Sequence, residues 1–329
     1  MDLTGKMPPL GEVNYLRLSI TDRCNLRCFY CTPPGEWEKL PCRGILRYEE
    51  MLHLARVAAS QGIKKIRVTG GEPLVRKGVV AFIRGLHQVP GLNEVCLTTN
   101  GVRLEELAPD LYAGGLRHLN LSLDSLRRER YRELTGFDHF PEVMAGLEKA
   151  ASLGFHPIKI NCVVLKDLND GELPEFARLA RERPFQVRFI EFMPTVSRKK
   201  WSRHFLPMAE VRRRLAGLGP GEPVAREAIS GPARIFRFPG FRGELGFISA
   251  ISEHQCPECN RLRLTAAGRL RPCLFGTREI DVKGPLRQGA GDAVLAQLFR
   301  EAVSLKTWKP SFDSPDTSFA CRRMVSIGG

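Results

Sequence analysis

The sequence predicts an α/β fold, a partial (β/α)6 TIM-like barrel with a smaller C-terminal α+β appendage, on three observations. Short β-branched or apolar runs alternate with longer amphipathic ones from Tyr15 onward. That alternation yields six strand-helix units in about the first 200 residues, and it breaks after Met193. Repeated strand, helix, strand units imply parallel pairing with right-handed crossovers. Six units are too few for a closed eight-unit barrel, and a doubly wound open sheet is the alternative. At 329 residues with 43% apolar composition, the chain can bury a sizeable core.

The six strands are YLRLSIT from Tyr15, KIRVTG from Lys65, EVCLTTN from Glu94, RHLNLSL from Arg117, PIKINCVVL from Pro157 and QVRFIEFM from Gln186. Each is short, rich in branched residues and bounded by turn formers. Between them EEMLHLARVAASQG, GVVAFIRGLHQV, PEVMAGLEKAASLG and GELPEFARLARERP read as helices, several stopped by Gly or Pro. After Met193, TVSRKKWSRHF is a basic segment and Pro207 to Gly231 mixes helix with Gly/Pro-rich loop; ARIFRF, GELGFIS and NRLRLT then read as strands of the appendage. The expected division is residues 1–200 and 201–329.

No apolar run approaches the roughly 18 residues of a membrane span, and the start MDLTGKMPPL lacks a signal-peptide pattern. The sequence therefore points to the cytoplasm, where ten cysteines are metal ligands or catalytic thiols before they are disulfides. Cys42, Cys96, Cys162 and Cys321 stand alone, and packing is the expected role of a lone Cys in an apolar stretch such as VCLTTN or INCVVL. The net charge of +14 predicts attraction to polyanions without choosing among them.

Two cysteine groups remain. In TDRCNLRCFYCTP, Cys24, Cys28 and Cys31 follow the first strand and so sit at its carboxyl end, where both rival folds build sites. Three thiolates do not close a structural zinc tetrahedron, whereas on a four-iron, four-sulfur cube they leave one iron open. A zinc set completed by a distant residue such as His53 is the competing reading. In CPECNRLRLTAAGRLRPCLF a hairpin would bring Cys273 back beside Cys256 and Cys259. On its first strand Arg261 and Arg263 share a face.

CxxxCxxC with Tyr30 before its last Cys, followed after the second strand by VTGGEP (Val68 to Pro73), resembles the signature of the radical S-adenosylmethionine (SAM) superfamily. The ordered set LRLSITDRCNLRCFYC, RVTGGEPLVR, LTTNG, LNLSLDSL, ELTGF, KINCVVL, RFIEFMP, GFIS, CNRLRLTAAGRLRPCLF and a terminal Gly328-Gly329 resembles, nearly end to end, the GTP 3',8-cyclase family of molybdenum cofactor biosynthesis. The resemblance implies two [4Fe-4S] clusters and S-adenosyl-L-methionine as cofactors. It implies that a 5'-deoxyadenosyl radical takes the ribose C3' hydrogen of GTP and that C3' then bonds to guanine C8.

Carried over by residue, Cys24, Cys28 and Cys31 would hold the SAM cluster, and Tyr30, Gly71, Ser122 and Met193 would contact SAM. Cys256, Cys259 and Cys273 would hold the cluster facing GTP. Arg17, Arg67, Thr98, Lys159, Arg261 and Arg263 would line the GTP site, with Arg17, Arg261 and Arg263 catalytic, and Gly328 and Gly329 would reach into the cavity. The implied partners are GTP, an electron donor such as flavodoxin or ferredoxin, and the next enzyme, cyclic pyranopterin monophosphate synthase. Neither membrane nor nucleic acid is implied, and a homodimer is allowed. The chain departs from the family at Thr32, at the loop Thr195 to Trp201 and at ISEHQC, where His254 adjoins the second group. The alternatives are another two-cluster radical SAM enzyme such as a peptide maturase, and a zinc-stabilised basic protein that binds nucleic acid.

Overall fold

The computed structural model describes residues 13–32, 39–253, 259–306 and 324–328. Six parallel strands lie in chain order in one sheet: β1 (Tyr15–Ser19), β2 (Lys65–Thr69), β3 (Glu94–Thr99), β4 (His118–Ser122), β5 (Ile158–Val164) and β6 (Phe185–Glu191). Their crossovers carry α1 (Tyr48–Ser60), α2 (Val79–His87), α3 (Leu104–Ala113), α4 (Arg128–Thr135), α5 (Phe140–Ser152) and α6 (Leu173–Glu182). The strand-helix pattern is that of the expected partial barrel. α3, which contains Pro109, a breaker in sequence, and α4 are not among the helices named from the sequence.

The basic segment after Met193 forms α7 (Arg198–His204), capped by the Ser197 hydroxyl, which accepts from the Lys200 amide. Trp201 on this helix donates its indole N–H to the Phe192 carbonyl at 2.8 Å, and the Thr195 hydroxyl donates to the Tyr30 carbonyl. The variant loop is thus fastened to the cysteine loop that follows β1. α8 (Met208–Arg214) comes next.

The last third extends the same sheet at both edges. After β7 (Glu222–Pro223) and β8 (Arg234–Arg237), β9 (Glu244–Ile248) pairs in parallel with β6, and β8 and β7 continue outward antiparallel. On the other edge β10 (Arg261–Leu264) pairs in parallel with β1, with Tyr15 opposite Arg261 and Arg17 opposite Arg263. β11 (Arg269–Arg271) and β12 (Ile280–Asp281) follow it antiparallel. α9 (Lys283–Arg287), α10 (Asp292–Ser304) and α11 (Met324–Ile327) complete the described chain. An unpaired edge on β1 or β6 would expose a row of backbone donors and acceptors; β10 and β9 supply their partners.

One apolar cluster spans both parts, from Leu16, Leu18, Ile66 and Val68 to Leu245, Leu262, Leu270 and Phe299. The strand residues among these occupy the outward positions, under the helices, and Phe299 packs onto them from α10. Successive residues face opposite ways along a strand, so the alternate positions, Tyr15, Arg17, Arg67, Thr98, Asn120, Lys159 and Arg188 among them, line the inner face. A filled barrel would carry branched apolar side chains there. Here the inner face is polar and encloses a cavity. Among the described residues no helix is long and apolar enough to cross a membrane.

Candidate active site

The cavity has a volume of about 670 Å³ and opens onto both cysteine groups. Cys24, Cys28, Cys31, Tyr30, Gly71, Ser122 and Met193 line it together with Arg17, Arg67, Thr98, Lys159, Cys259, Arg261, Arg263 and Cys273. Every predicted site residue among those described therefore meets in one space, except Gly328, which reaches that lining through the arginines discussed below. Cys256, His254 and Gly329 lie outside the described residues.

The first group is built by the loop after β1. A turn closes Cys28 to Cys31, the Cys31 amide donating to the Cys28 carbonyl at 2.9 Å. Burial raises all three thiols, Cys24 to about 11 and Cys31 to about 12; Glu72 adds to it at Cys24, and neighbouring thiols and Asp124 add to it at Cys28 and Cys31. Such a site disfavours free thiolates and favours them bound to a cation. The Leu26 amide and the Asn100 side chain approach Cys24 Sγ at 3.4 and 3.9 Å, as donors do around cluster sulfur. The three thiols fit a cluster with one iron left open. His53, the distant zinc ligand considered from spacing, instead lies 2.6 Å from Asp292 and does not line the cavity.

The GGEP turn packs on this loop. The Gly71 amide donates to the Thr21 carbonyl and the Glu72 amide to the Arg23 carbonyl, both at 2.7 Å. A Cβ on Gly71 would lie 2.3 Å from the Arg23 carbonyl oxygen and 2.8 Å from Val325. Glycine is thus required first by the protein's own backbone. Glu72, buried and raised by burial to about 7, receives the Leu74 and Asn100 amides and the Thr99 hydroxyl, joining the turns after β2 and β3. Tyr30 donates its hydroxyl to Asp124, whose carboxyl burial lifts to about 6.

The β10–β11 hairpin turns at Gly268, with its φ of 75°, and returns Cys273 toward Cys259. Lys306 joins the two strands: its ammonium lies 3.2 Å from Cys259 Sγ and donates to the carbonyls of Arg261 and Pro272. Burial pushes the Cys259 thiol up, but the Arg261 and Lys306 cations outweigh it and bring it down to about 6. Sequence reasoning missed Lys306, which lies far from the motif in the chain. The buried place read for a lone cysteine holds for Cys162 and for Cys96, whereas Cys42 is exposed and Cys321 lies outside the described residues. The phase of β3 turns Cys96 onto the polar face, where it donates to Glu94 Oε1 at 2.7 Å. The same oxygen lies 2.8 Å from Lys65 Nζ and 2.7 Å from His118 Nδ1.

Much of the remaining lining is cationic, beside the carboxylates of Glu94, Glu191 and Glu244. Lys65 and Arg188, also missed, join Arg17, Arg67, Lys159, Arg261 and Arg263 on the inner face. Burial lowers Arg17 and Arg188 to about 10 each, with Arg67 adding repulsion to both, and it lowers Lys159 to about 7, with Arg188, Arg67 and Lys65 contributing. Buried like charges repel, and a polyanion in the cavity would reverse that. Lys159 is second in β5, so this cationic lining includes a strand's amino end as well as the carboxyl ends expected from sequence. Arg67 Nη1, Thr98 Oγ1, Asn120 Oδ1 and Asn161 Oδ1 are buried with no hydrogen-bond partner among the described residues. In a native fold such groups call for a polar ligand. The Gly328 carbonyl accepts from Arg17 at 3.2 Å and from Arg263 at 3.1 Å, which sets it beside two lining residues.

Two family models match the chain in succession: the radical SAM superfamily over residues 18–180 and Molybdenum Cofactor Synthesis C over residues 185–312. The GTP 3',8-cyclase of Moorella thermoacetica is 50% identical over 298 residues, covering 90% of this chain and 91% of the relative. That of Pelotomaculum thermopropionicum is 47% identical over 90% of this chain and 91% of its own. That of Heliobacterium modesticaldum is 44% identical over 97% and 98%. Among solved structures, Streptococcus suis SuiB bound to S-adenosylmethionine superposes with a TM-score of 0.56 at 15% identity, over 86% of this chain and 67% of that one, a likeness of fold. With two thiol groups opening on one cation-lined cavity and relatives of this identity along nearly its whole length, the chain belongs to the GTP 3',8-cyclase family of radical SAM enzymes.

Proposed function

We propose that this chain converts GTP to (8S)-3',8-cyclo-7,8-dihydroguanosine 5'-triphosphate, the first step of molybdenum cofactor biosynthesis. The observation that carries the reading is the inner face itself, where seven buried or half-buried Lys and Arg side chains, from Arg17 to Arg263, surround a cavity that also holds cysteines of both groups. A triphosphate is the complement of such a lining, Arg acting as a fork and Lys as a point charge. When bound, SAM and its cluster supply one-electron cleavage and the 5'-deoxyadenosyl radical.

The chain's part is placement. Lys65, Arg67, Lys159 and Arg188 hold the phosphates. Arg17, Arg261 and Arg263 secure the nucleotide toward Cys259 and Cys273, with Cys256 completing that ligand set. Tyr30, Gly71, Ser122 and Met193 hold SAM beside Cys24, Cys28 and Cys31. Residues 1–200 thereby carry the SAM half of the site and 201–329 the second-cluster half. The chemistry requires a one-electron donor such as flavodoxin or ferredoxin, and the product passes to cyclic pyranopterin monophosphate synthase. A cytoplasmic homodimer, testable by sedimentation, completes the proposal.

Anaerobic reconstitution with iron and sulfide, followed by GTP and SAM and mass analysis of the product, tests the reading. Cys24→Ala should stop SAM cleavage. Cys259→Ala should leave cleavage intact and lose cyclisation. Equal loss of both activities in the two variants would sink the division of roles, and binding of a peptide in place of GTP would sink the substrate.

A further inference from the structure

We infer that Asn120 is a substrate-positioning residue whose side-chain carbonyl accepts a hydrogen bond from a ribose hydroxyl of the nucleotide, an inference that rests on the GTP reading above. β4 sends Leu119 and Leu121 into the core and His118, Asn120 and Ser122 to the cavity. Asn120 is 5% exposed, and its Oδ1 has no hydrogen-bond partner among the described residues. Of the other amides near the site, Asn161 shares this open state, whereas two are secured. Asn100 donates to Asn25 and accepts from the Val102 amide, and Asn169 accepts from the Leu165 amide while donating to the Asp124 and Val163 carbonyls. The fold can satisfy buried amides and leaves this acceptor open, which is unfavourable for a buried polar group.

The register fixes what lies beside it. Asn120 is the Cα partner of Thr98 on β3 and of Lys159 on β5, and Ser122 follows two residues on, roughly 7 Å along the strand. Asn120 thus stands between two residues assigned to GTP and one step from a residue assigned to SAM, where the two reactants must meet. An orphan acceptor needs a donor. Phosphate oxygens are acceptors and are matched by the cations. The guanine end is assigned to Arg261 and Arg263 on β10, which is separated from β4 by β1, β2 and β3. Among the groups of the nucleotide, the ribose hydroxyls are the donors left for Asn120. A hydrogen bond there fixes the sugar whose C3' hydrogen is taken, and orientation of this kind governs rate.

The test compares wild type, Asn120→Ala, Asn120→Leu and Asn120→Asp, each reconstituted anaerobically. Equilibrium titrations with GTP, 2'-deoxyGTP, 3'-deoxyGTP and SAM are read beside cyclised product and 5'-deoxyadenosine. Wild type should bind GTP about tenfold more tightly than the analogue lacking the contacted hydroxyl. The Ala and Leu variants should bind GTP and that analogue equally, keep wild-type affinity for SAM, and release 5'-deoxyadenosine without matching cyclised product. The Asp variant, which keeps an acceptor, should keep the preference. Iron content and melting temperature report folding, and Leu, which shares Asn's branched heavy-atom skeleton, decides the matter where Ala does not fold. An unchanged preference against both deoxy analogues in the Ala or Leu variant, or loss of SAM affinity with GTP affinity intact, overturns the inference. If wild type cyclises GTP, either outcome removes only the role of Asn120; if wild type makes no cyclised product, the GTP reading falls and this inference with it.

Discussion

Lys159 shows how burial prepares a side chain for an anion. Burial first, and then Arg188, Arg67 and Lys65, lower its pKa to about 7, so near neutral pH the free protein holds only part of the proton. A triphosphate replaces that repulsion with attraction and raises the pKa in the complex. The proton count of free and bound forms therefore differs between about 7 and the higher bound value, and agrees well below 7. GTP binding at pH 8 should take up close to one proton from the buffer, and at pH 6 almost none, as measured by calorimetry in buffers of different ionisation enthalpy. Affinity should weaken as pH rises above 7, and Lys159→Met should abolish the uptake. The role of Lys159 entered by family resemblance. Lys65 and Arg188 were open to the same phase argument: each is two residues from, or in register with, an inward-facing residue, but a single cation in a strand reads more readily as solvated surface.

At the scale of elements, α11 and the residue after it bring Gly328 to Arg17 and Arg263, while Val325 packs against the Gly71 turn. A four-residue helix otherwise resembles a frayed terminus. Deleting Gly328 and Gly329 should abolish cyclisation while leaving the iron and sulfide content and SAM cleavage of the full chain, as measured on anaerobically purified protein; a truncated protein with full turnover would refute it. The strands β1 to β6 were legible because alternation is a local signal, and the hairpin after Cys259 was legible for the same reason. What alternation could not disclose was that the polar face lines an interior. A half-exposed sheet has the same period, so the burial of Cys96 was legible but its polar partner Glu94 was not. α3 was hidden by Pro109. The junctions of β9 with β6 and β10 with β1 carry no local mark at all, since each pairs segments far apart in the chain.

On the scale of the whole molecule, those two junctions make one sheet out of a chain matched by two successive family models, over residues 18–180 and 185–312. A fragment of residues 1–200 should not behave as an independent soluble unit, because β1 and β6 would both present bare edges. Expression of that fragment should yield aggregated protein by gel filtration, against a monodisperse full chain, whereas a soluble, cooperatively melting fragment would show that the edges tolerate exposure. Glu191, fully buried at the end of β6, ties the halves further. It accepts from the amides of Met208, Ile251 and Ser252 at 2.7, 2.7 and 2.9 Å. The pairing of β1 with β10 also has a consequence in time. Arg261, opposite Tyr15, is made about 250 residues after it, a delay on the order of 10–50 s at ordinary synthesis rates. Through that interval the thiol-bearing loop hangs from an unsealed seam, open to whatever delivers iron. Nascent chains stalled before Arg261 should remain cleavable by protease between Tyr15 and Thr32, and chains stalled past Lys306 should resist, so that translation itself times when the metal centre becomes enclosed.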